Sequence, residues 1–217
     1  MIPLELYVHI PFCVRKCQYC DFLSGPSDQK PQDAYVDALC REIRSTSQKE
    51  AYEVVSVFIG GGTPSVLSGE QLCRIMDEIK QAFILSEDAE ITMEANPGTV
   101  SPEQLKLCHE AGINRISFGL QSTVQQELDM LGRIHTYEEF LQSYQWARDA
   151  LFENIRSLKK RGIGIIYISH RLSELEQICD RVTVFRDGQS VAVANVSDVT
   201  NEEIVNLMVG REMTNYY

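Results

Sequence analysis

No apolar run in this 217-residue chain approaches the ~18 residues that a membrane-spanning helix needs, so insertion into a bilayer is not expected. Strong basic patches are missing too. Lys159-Lys160-Arg161 is the only small local cluster, and the formal net charge is −11. That balance argues against a nucleic-acid backbone as the main partner. The opening Met1-Ile2-Pro3-Leu4-Glu5 has no basic n-region and no long apolar h-region, so no signal peptide is expected. There is no Gly-x-x-x-x-Gly-Lys-Ser/Thr anywhere. Without a phosphate cradle and a magnesium ligand, phosphoryl transfer has no machinery. Apolar residues make up 44% and charged residues 24%, enough to bury a core in one α/β domain or two small ones.

Cysteine is not scarce, and its distribution is informative. Cys40, Cys73, Cys108 and Cys179 are scattered singly through helix-like segments. They read as small hydrophobes in a reducing cytoplasm. Cys13, Cys17 and Cys20 instead share one loop, directly after an apolar strand-like run over 4–10. Thiolates select zinc, copper(I) or iron–sulfur clusters. A cubic cluster normally takes four cysteines, so three would leave one iron without a protein ligand, as in a working site rather than a structural one. Zinc with His9 as fourth ligand, a disulfide, or three unrelated thiols are the bland alternatives.

The pattern around this loop is alternating β and α. Strands are predicted over 4–10, 54–59, 89–94 and 115–120. Helices are predicted over 31–45, from the Ser68 N-cap to Phe83, from Ser101-Pro102 to Gly112, and over 124–131 and 137–147. Residues 4–148 thus read as four βα units, which implies a parallel sheet or barrel with its chemistry at the carboxyl ends of the strands. The cysteine loop follows strand one, Gly60-Gly61-Gly62-Thr63-Pro64 follows strand two, Glu94 ends strand three and Gln121 follows strand four. One shared mouth is the expectation. Each residue has a plainer reading: an ordinary β-to-α turn for the glycines, a solvated strand-end acid for Glu94.

Cys-x-x-x-Cys-x-x-Cys followed by Gly-Gly-Gly-Thr-Pro resembles the radical S-adenosylmethionine (SAM) superfamily. Tyr7-x-His9-x-Pro11-Phe12-Cys13 with Cys17-x-Tyr19-Cys20-Asp21-Phe22 is similar to its oxygen-independent coproporphyrinogen III oxidase-like family. The resemblance implies a partial (β/α) barrel and a [4Fe-4S] cluster on Cys13, Cys17 and Cys20. It further implies SAM contacts at Tyr7, Tyr19, Gly61, Gly62, Thr63, Glu94, Gln121 and Arg133, and haem or a porphyrin as partner. Phe22 stands where the decarboxylase branch carries a further cysteine, which favours the haem-chaperone branch. His135 is assigned no role.

Near residue 149 the character changes. Residues 1–149 carry nearly all the negative charge, −10 against −1 for 150–217. The family's next strand element is missing. Residues 150–217 instead resemble the end of an ATP-binding-cassette (ABC) ATPase of the sugar-importer type. There His170 would be the γ-phosphate sensor and Val209-Gly210-Arg211-Glu212 the tail. The Walker elements and the signature loop are absent, so no ATPase activity is expected. The reading is a chimera: a truncated radical SAM core over 1–149, with haem handling lost, and a foreign α/β fragment over 150–217. The apolar run 163–168 is expected as a surrogate fifth strand.

Overall fold

A computed structural model of the chain describes residues 1–46, 51–169 and 171–210. His170, Arg211 and Glu212, on which part of the ABC resemblance rests, lie outside the described residues. The chain divides into two compact units, Met1–Ala150 and Leu151–Tyr217.

The first unit opens with strand β1 (Ile2–Ile10), a two-residue pair β2 (Phe12–Cys13) and β3 (Gly25–Pro26), and helix α1 (Gln29–Ser45). Strand β4 (Tyr52–Gly61), helix α2 (Gly69–Ala82), strand β5 (Ile84–Ala95) and helix α3 (Pro102–Glu110) follow. Strand β6 (Arg115–Phe118) and helix α4 (Gln125–Met130) complete the fourth repeat. Helix α5 (Tyr137–Lys160) then runs through the division between the units. The helical spacing over 137–147 therefore marks only its first half. Arg148 to Ala150, read as a change of character, contains no glycine or proline to interrupt it.

All pairings in the main sheet are parallel, in the order β1-β4-β5-β6. Strand order that follows chain order, without reversal, is the winding of a barrel rather than of a doubly wound sheet. Register brings the strand ends together: Ile10 pairs with Gly61, Ile59 with Met93 and Glu94 with Ser117. Alternation sorts the side chains. Val8, Ile10, Val57, Ile59, Ile91 and Met93 join Val36, Leu72 and Ile75 of the helices in one buried core. Tyr7, His9, Phe58 and Glu94 are left on the opposite face.

Local chemistry sets the helix starts. Ser68 caps α2 by accepting from the Gln71 amide, and the Gln71 side chain returns the bond to the Ser68 amide at 2.8 Å, a reciprocal capping box. Ser101 caps α3 with Pro102 in the first turn.

The second unit contains the end of α5, helix α6 (Leu172–Ile178), strands β7 (Arg181–Arg186) and β8 (Gln189–Asn195), and helix α7 (Asn201–Val209). Strands β7 and β8 form an antiparallel hairpin. Its turn, Asp187-Gly188, has both residues at positive φ (51° and 77°), the geometry whose twist matches paired strands. The surrogate fifth strand is not formed: residues 163–169 have no regular secondary structure, and the main sheet has four strands. Gly162, at φ 80°, ends α5 with its amide on Lys159 O. The run beyond it has no ladder partner, and Ile166 is 92% exposed.

Candidate functional site

Three segments clamp the cysteine loop. Gly62 N–H donates to Ile10 O at 2.7 Å and Thr63 N–H to Phe12 O at 2.6 Å. From the other side Gln18 N–H donates to Leu131 O at 3.2 Å. His9 holds the loop's far end: its Nε2 is 3.3 Å from Leu23 O, and its Nδ1 is 3.1 Å from the Tyr7 hydroxyl. Both ring nitrogens thus lie within hydrogen-bond distance of protein oxygens. Tyr35, on α1, donates to His9 O at 2.6 Å.

The glycines are needed where the strand end meets this loop. Gly61 sits at φ 108°, and a Cβ there would run into the His9 ring. A Cβ on Gly62 would lie 2.5 Å from Phe12 O. Only glycine allows so close an approach of backbone to loop.

A cavity of about 340 Å³ opens at the carboxyl ends of the strands. Cys13, Cys17, Cys20 and Tyr19 line one side, and Gly61, Gly62, Thr63 and Glu94 another. Gln121 and Arg133 line it as well. Of the eleven residues that the resemblance assigns to the cluster and SAM, Tyr7 alone is not in this wall. Its ring stacks on Phe58 at 6.2 Å between centroids, and it is 57% exposed. Partial burial, with the nearby Glu94 carboxylate, holds its phenol above the usual range. Among the described residues, no three His, Cys, Asp or Glu side chains are gathered tightly enough to hold a single metal ion. Cysteines on a cube each hold a different iron, so they stand further apart than the ligands of one zinc.

Glu94 is turned to the glycines: its Oε2 accepts from Gly61 N–H at 3.2 Å. Gln121 adopts φ 68°, a left-handed conformation that a non-glycine residue rarely takes and that tends to persist at ligand sites. His135 secures this turn, its Nε2 lying 3.2 Å from Leu120 O. Burial, reinforced by the Arg133 cation, lowers the His135 pKa and favours the neutral ring.

Arg133 is 8% exposed. Its Nη1 donates to Cys17 Sγ at 3.4 Å, and its Nη2 to Asn96 Oδ1 at 2.7 Å and Gly119 O at 2.5 Å. Its Nε is buried with no hydrogen-bond partner. Tyr19 touches both Arg133 and Cys17, and burial, only partly opposed by that cation, raises its phenol pKa. Asn96 also donates through Nδ2 to Thr63 Oγ1 at 2.8 Å. Sequence reasoning assigned Asn96, which opens the Asn96-Pro97-Gly98 turn, no role. Its place two residues after the strand-end acid Glu94 was the available signal.

The Radical SAM superfamily matches this chain over residues 7–182. Among curated proteins, the heme chaperone HemW of Escherichia coli is 47% identical over 139 residues, covering 63% of this chain and 37% of the relative. HemW of Bacillus subtilis is 43% identical over 151 residues, covering 69% and 40%. HemW of Haemophilus influenzae is 37% identical over 181 residues, covering 81% and 47%. The chain thus spans less than half the length of these relatives. Among solved structures, coproporphyrinogen III oxidase (HemN) from Escherichia coli, described as a radical SAM enzyme, matches with a TM-score of 0.62 and 32% identity. That match covers 68% of this chain and 35% of the other.

Proposed function

The chain belongs to the radical SAM superfamily, and from that premise we propose that it is an iron–sulfur protein of the coproporphyrinogen III oxidase-like family, haem-chaperone branch. In this reading Cys13, Cys17 and Cys20 hold a [4Fe-4S] cluster and the adjoining wall takes SAM. Residues 1–149 form the core and 150–217 a separate tail. The observation that carries the reading is the single cavity shared by the three thiols, Gly61 to Thr63, Glu94, Gln121 and Arg133. The donor set suits the group: soft thiols select iron–sulfur clusters.

When bound, the cluster supplies the electron for radical chemistry on SAM. The chain's own residues do the holding. Strand-end backbone at Gly61 and Gly62 admits a ligand closely. Glu94 offers carboxylate oxygens to hydroxyls, and Gln121 offers two donors and an acceptor. Arg133 offers positive charge, and its partnerless Nε lies in a region where an unsatisfied donor is costly. Tyr7, outside the cavity, contributes through His9.

Anaerobic reconstitution with iron and sulfide should give broad visible sulfur-to-iron absorption. Replacing Cys13, Cys17 and Cys20 by alanine should abolish it. Absorption that never develops, or that survives the triple replacement, would sink the cluster. SAM should then bind the reconstituted protein by calorimetry. Haem or a porphyrin is proposed as partner because the relatives are heme chaperones, with its handling impaired here because the chain spans less than half their length. A haem titration without a Soret shift would remove that part alone. Phe22, in place of a further cysteine, favours the chaperone over the decarboxylase. The ABC resemblance of 150–217 rests on sequence alone, and no ATP-dependent activity is proposed.

A further inference from the structure

We propose that Asn96 is a positioning residue for the SAM carboxylate: a neutral tether that fixes the Arg133 guanidinium without discharging it. This rests on the SAM reading above. The side chain of Asn96 is held at both ends. Its Oδ1 accepts from Arg133 Nη2 at 2.7 Å and its Nδ2 donates to Thr63 Oγ1 at 2.8 Å. The backbone is pinned as well, with Asn96 N–H on Ser65 Oγ at 3.3 Å and Asn96 O accepting from Thr99 Oγ1 at 2.7 Å. Pro97 restricts the residue before it to extended conformations. Asn96 therefore cannot turn away, and it ties the strand-β4 wall to the wall that carries Arg133.

The charge count around Arg133 gives the tether its purpose. Its other protein partners are the Gly119 carbonyl, the Cys17 sulfur and Tyr19. Among the described residues no carboxylate forms an ion pair with it. A buried cation with no carboxylate beside it is costly, its one anionic neighbour in the reading above is the Cys17 thiolate, and its Nε lacks any partner. Aspartate fits the same space and still accepts from Nη2, but it would neutralise the cation. Asparagine keeps the geometry and leaves the charge for a ligand.

Asn96→Asp is therefore the informative variant. A role in stability alone is preserved by it, since the Thr63 hydroxyl reverses to donate. We expect reconstituted Asn96→Asp to match the wild type in cluster absorption and thermal stability. Its affinity for SAM should fall by about tenfold or more, the usual worth of a hydrogen bond to a charged group. 5′-Methylthioadenosine keeps the nucleoside but lacks the carboxylate, and its affinity should change by less than about threefold, because a contact it never makes is what was lost. Asn96→Ala, which releases the guanidinium, should also weaken SAM. If Asn96→Asp binds SAM as the wild type does, or loses both ligands equally, the tether role is wrong while the SAM reading stands. Should Asn96→Asp fail to fold, Asn96→Ala decides: SAM binding unchanged there overturns the tether. A wild-type protein that takes up the cluster but never binds SAM overturns the SAM reading, and the tether with it.

Discussion

The two units of this chain use the same devices to different depth. In Met1–Ala150, a four-stranded parallel sheet and three helices bury one large cluster that includes Ile10, Ile59, Leu72, Ile75, Met76 and Met93, beside a smaller one around Ala95, Val100 and Leu105. In Leu151–Tyr217, apolar burial is divided between two small clusters, Phe152 with Ile155 and Ile178, and Leu175 with Val184 and Ile204. Both units open a helix with a reciprocal capping box, Ser68 with Gln71 and Thr200 with Glu203. Capping chemistry is local and needs no core behind it. Depth of burial is not local, and it is what separates a unit able to hold a rigid site from one held by a few contacts.

The contrast should show first under protease. Tryptic cleavage of the whole protein should begin at Lys160, Arg161 and Arg171, which flank the irregular and exposed stretch 163–169. Mass spectrometry should find a fragment ending near residue 160 that outlasts every piece of the second unit. Early cuts inside α2 or β5 would reverse the ranking. Next in size is a core deletion. Ile59 is fully buried in mid-sheet, so Ile59→Ala should cost about 2–5 kcal/mol by chemical denaturation. A cost below about 1 kcal/mol would mean that the sheet is far less packed than its burial says.

What was legible in the sequence follows from the same distinction. Strand β4 was readable because Val54 to Ile59 is the near-continuous apolar run of a parallel strand buried by helices, whereas β1 alternates before it turns apolar. Ser68 and Ser101 were readable as caps because a cap answers to its own next three residues. The cavity wall was legible for ten of eleven named residues because chain order in a βα repeat fixes which loops share a mouth. Tyr7 fell outside it: period-two alternation places it on the right face, but its hydroxyl is taken by His9. Asn96 was passed over since a turn motif explains its backbone, while its side chain works at sequence distances of 33 and 37 residues. The run 163–168 has strand composition and no strand, because composition cannot supply a neighbour to pair with.

The caps give a subtler comparison. Ser68→Ala and Thr200→Ala each remove one cap and should each cost about 1 kcal/mol. Their reach should differ under hydrogen exchange. The first should speed exchange mainly in the opening turn of α2, behind which the large core is unchanged. The second should also loosen α6 and β7, because Ile204 of α7 closes a cluster with Leu175 and Val184. Equal reach for the two variants would mean that the second unit is as cooperative as the first.

The smallest effect is the sharpest test of burial as the governing variable. Ile166 is the same residue type as Ile59, in an equally apolar sequence context, yet it is 92% exposed. Burial of a side chain is what stabilises, and an exposed isoleucine has buried almost nothing. Ile166→Ser should therefore change stability by less than about 0.5 kcal/mol. It also removes apolar surface from a run of the kind that promotes chain association, so solubility should rise at unchanged melting temperature. The two outcomes separate the roles of that run. If Ile166→Ser instead destabilises the protein by as much as Ile59→Ala, then Ile166 is covered in solution by some surface that its exposure here does not show.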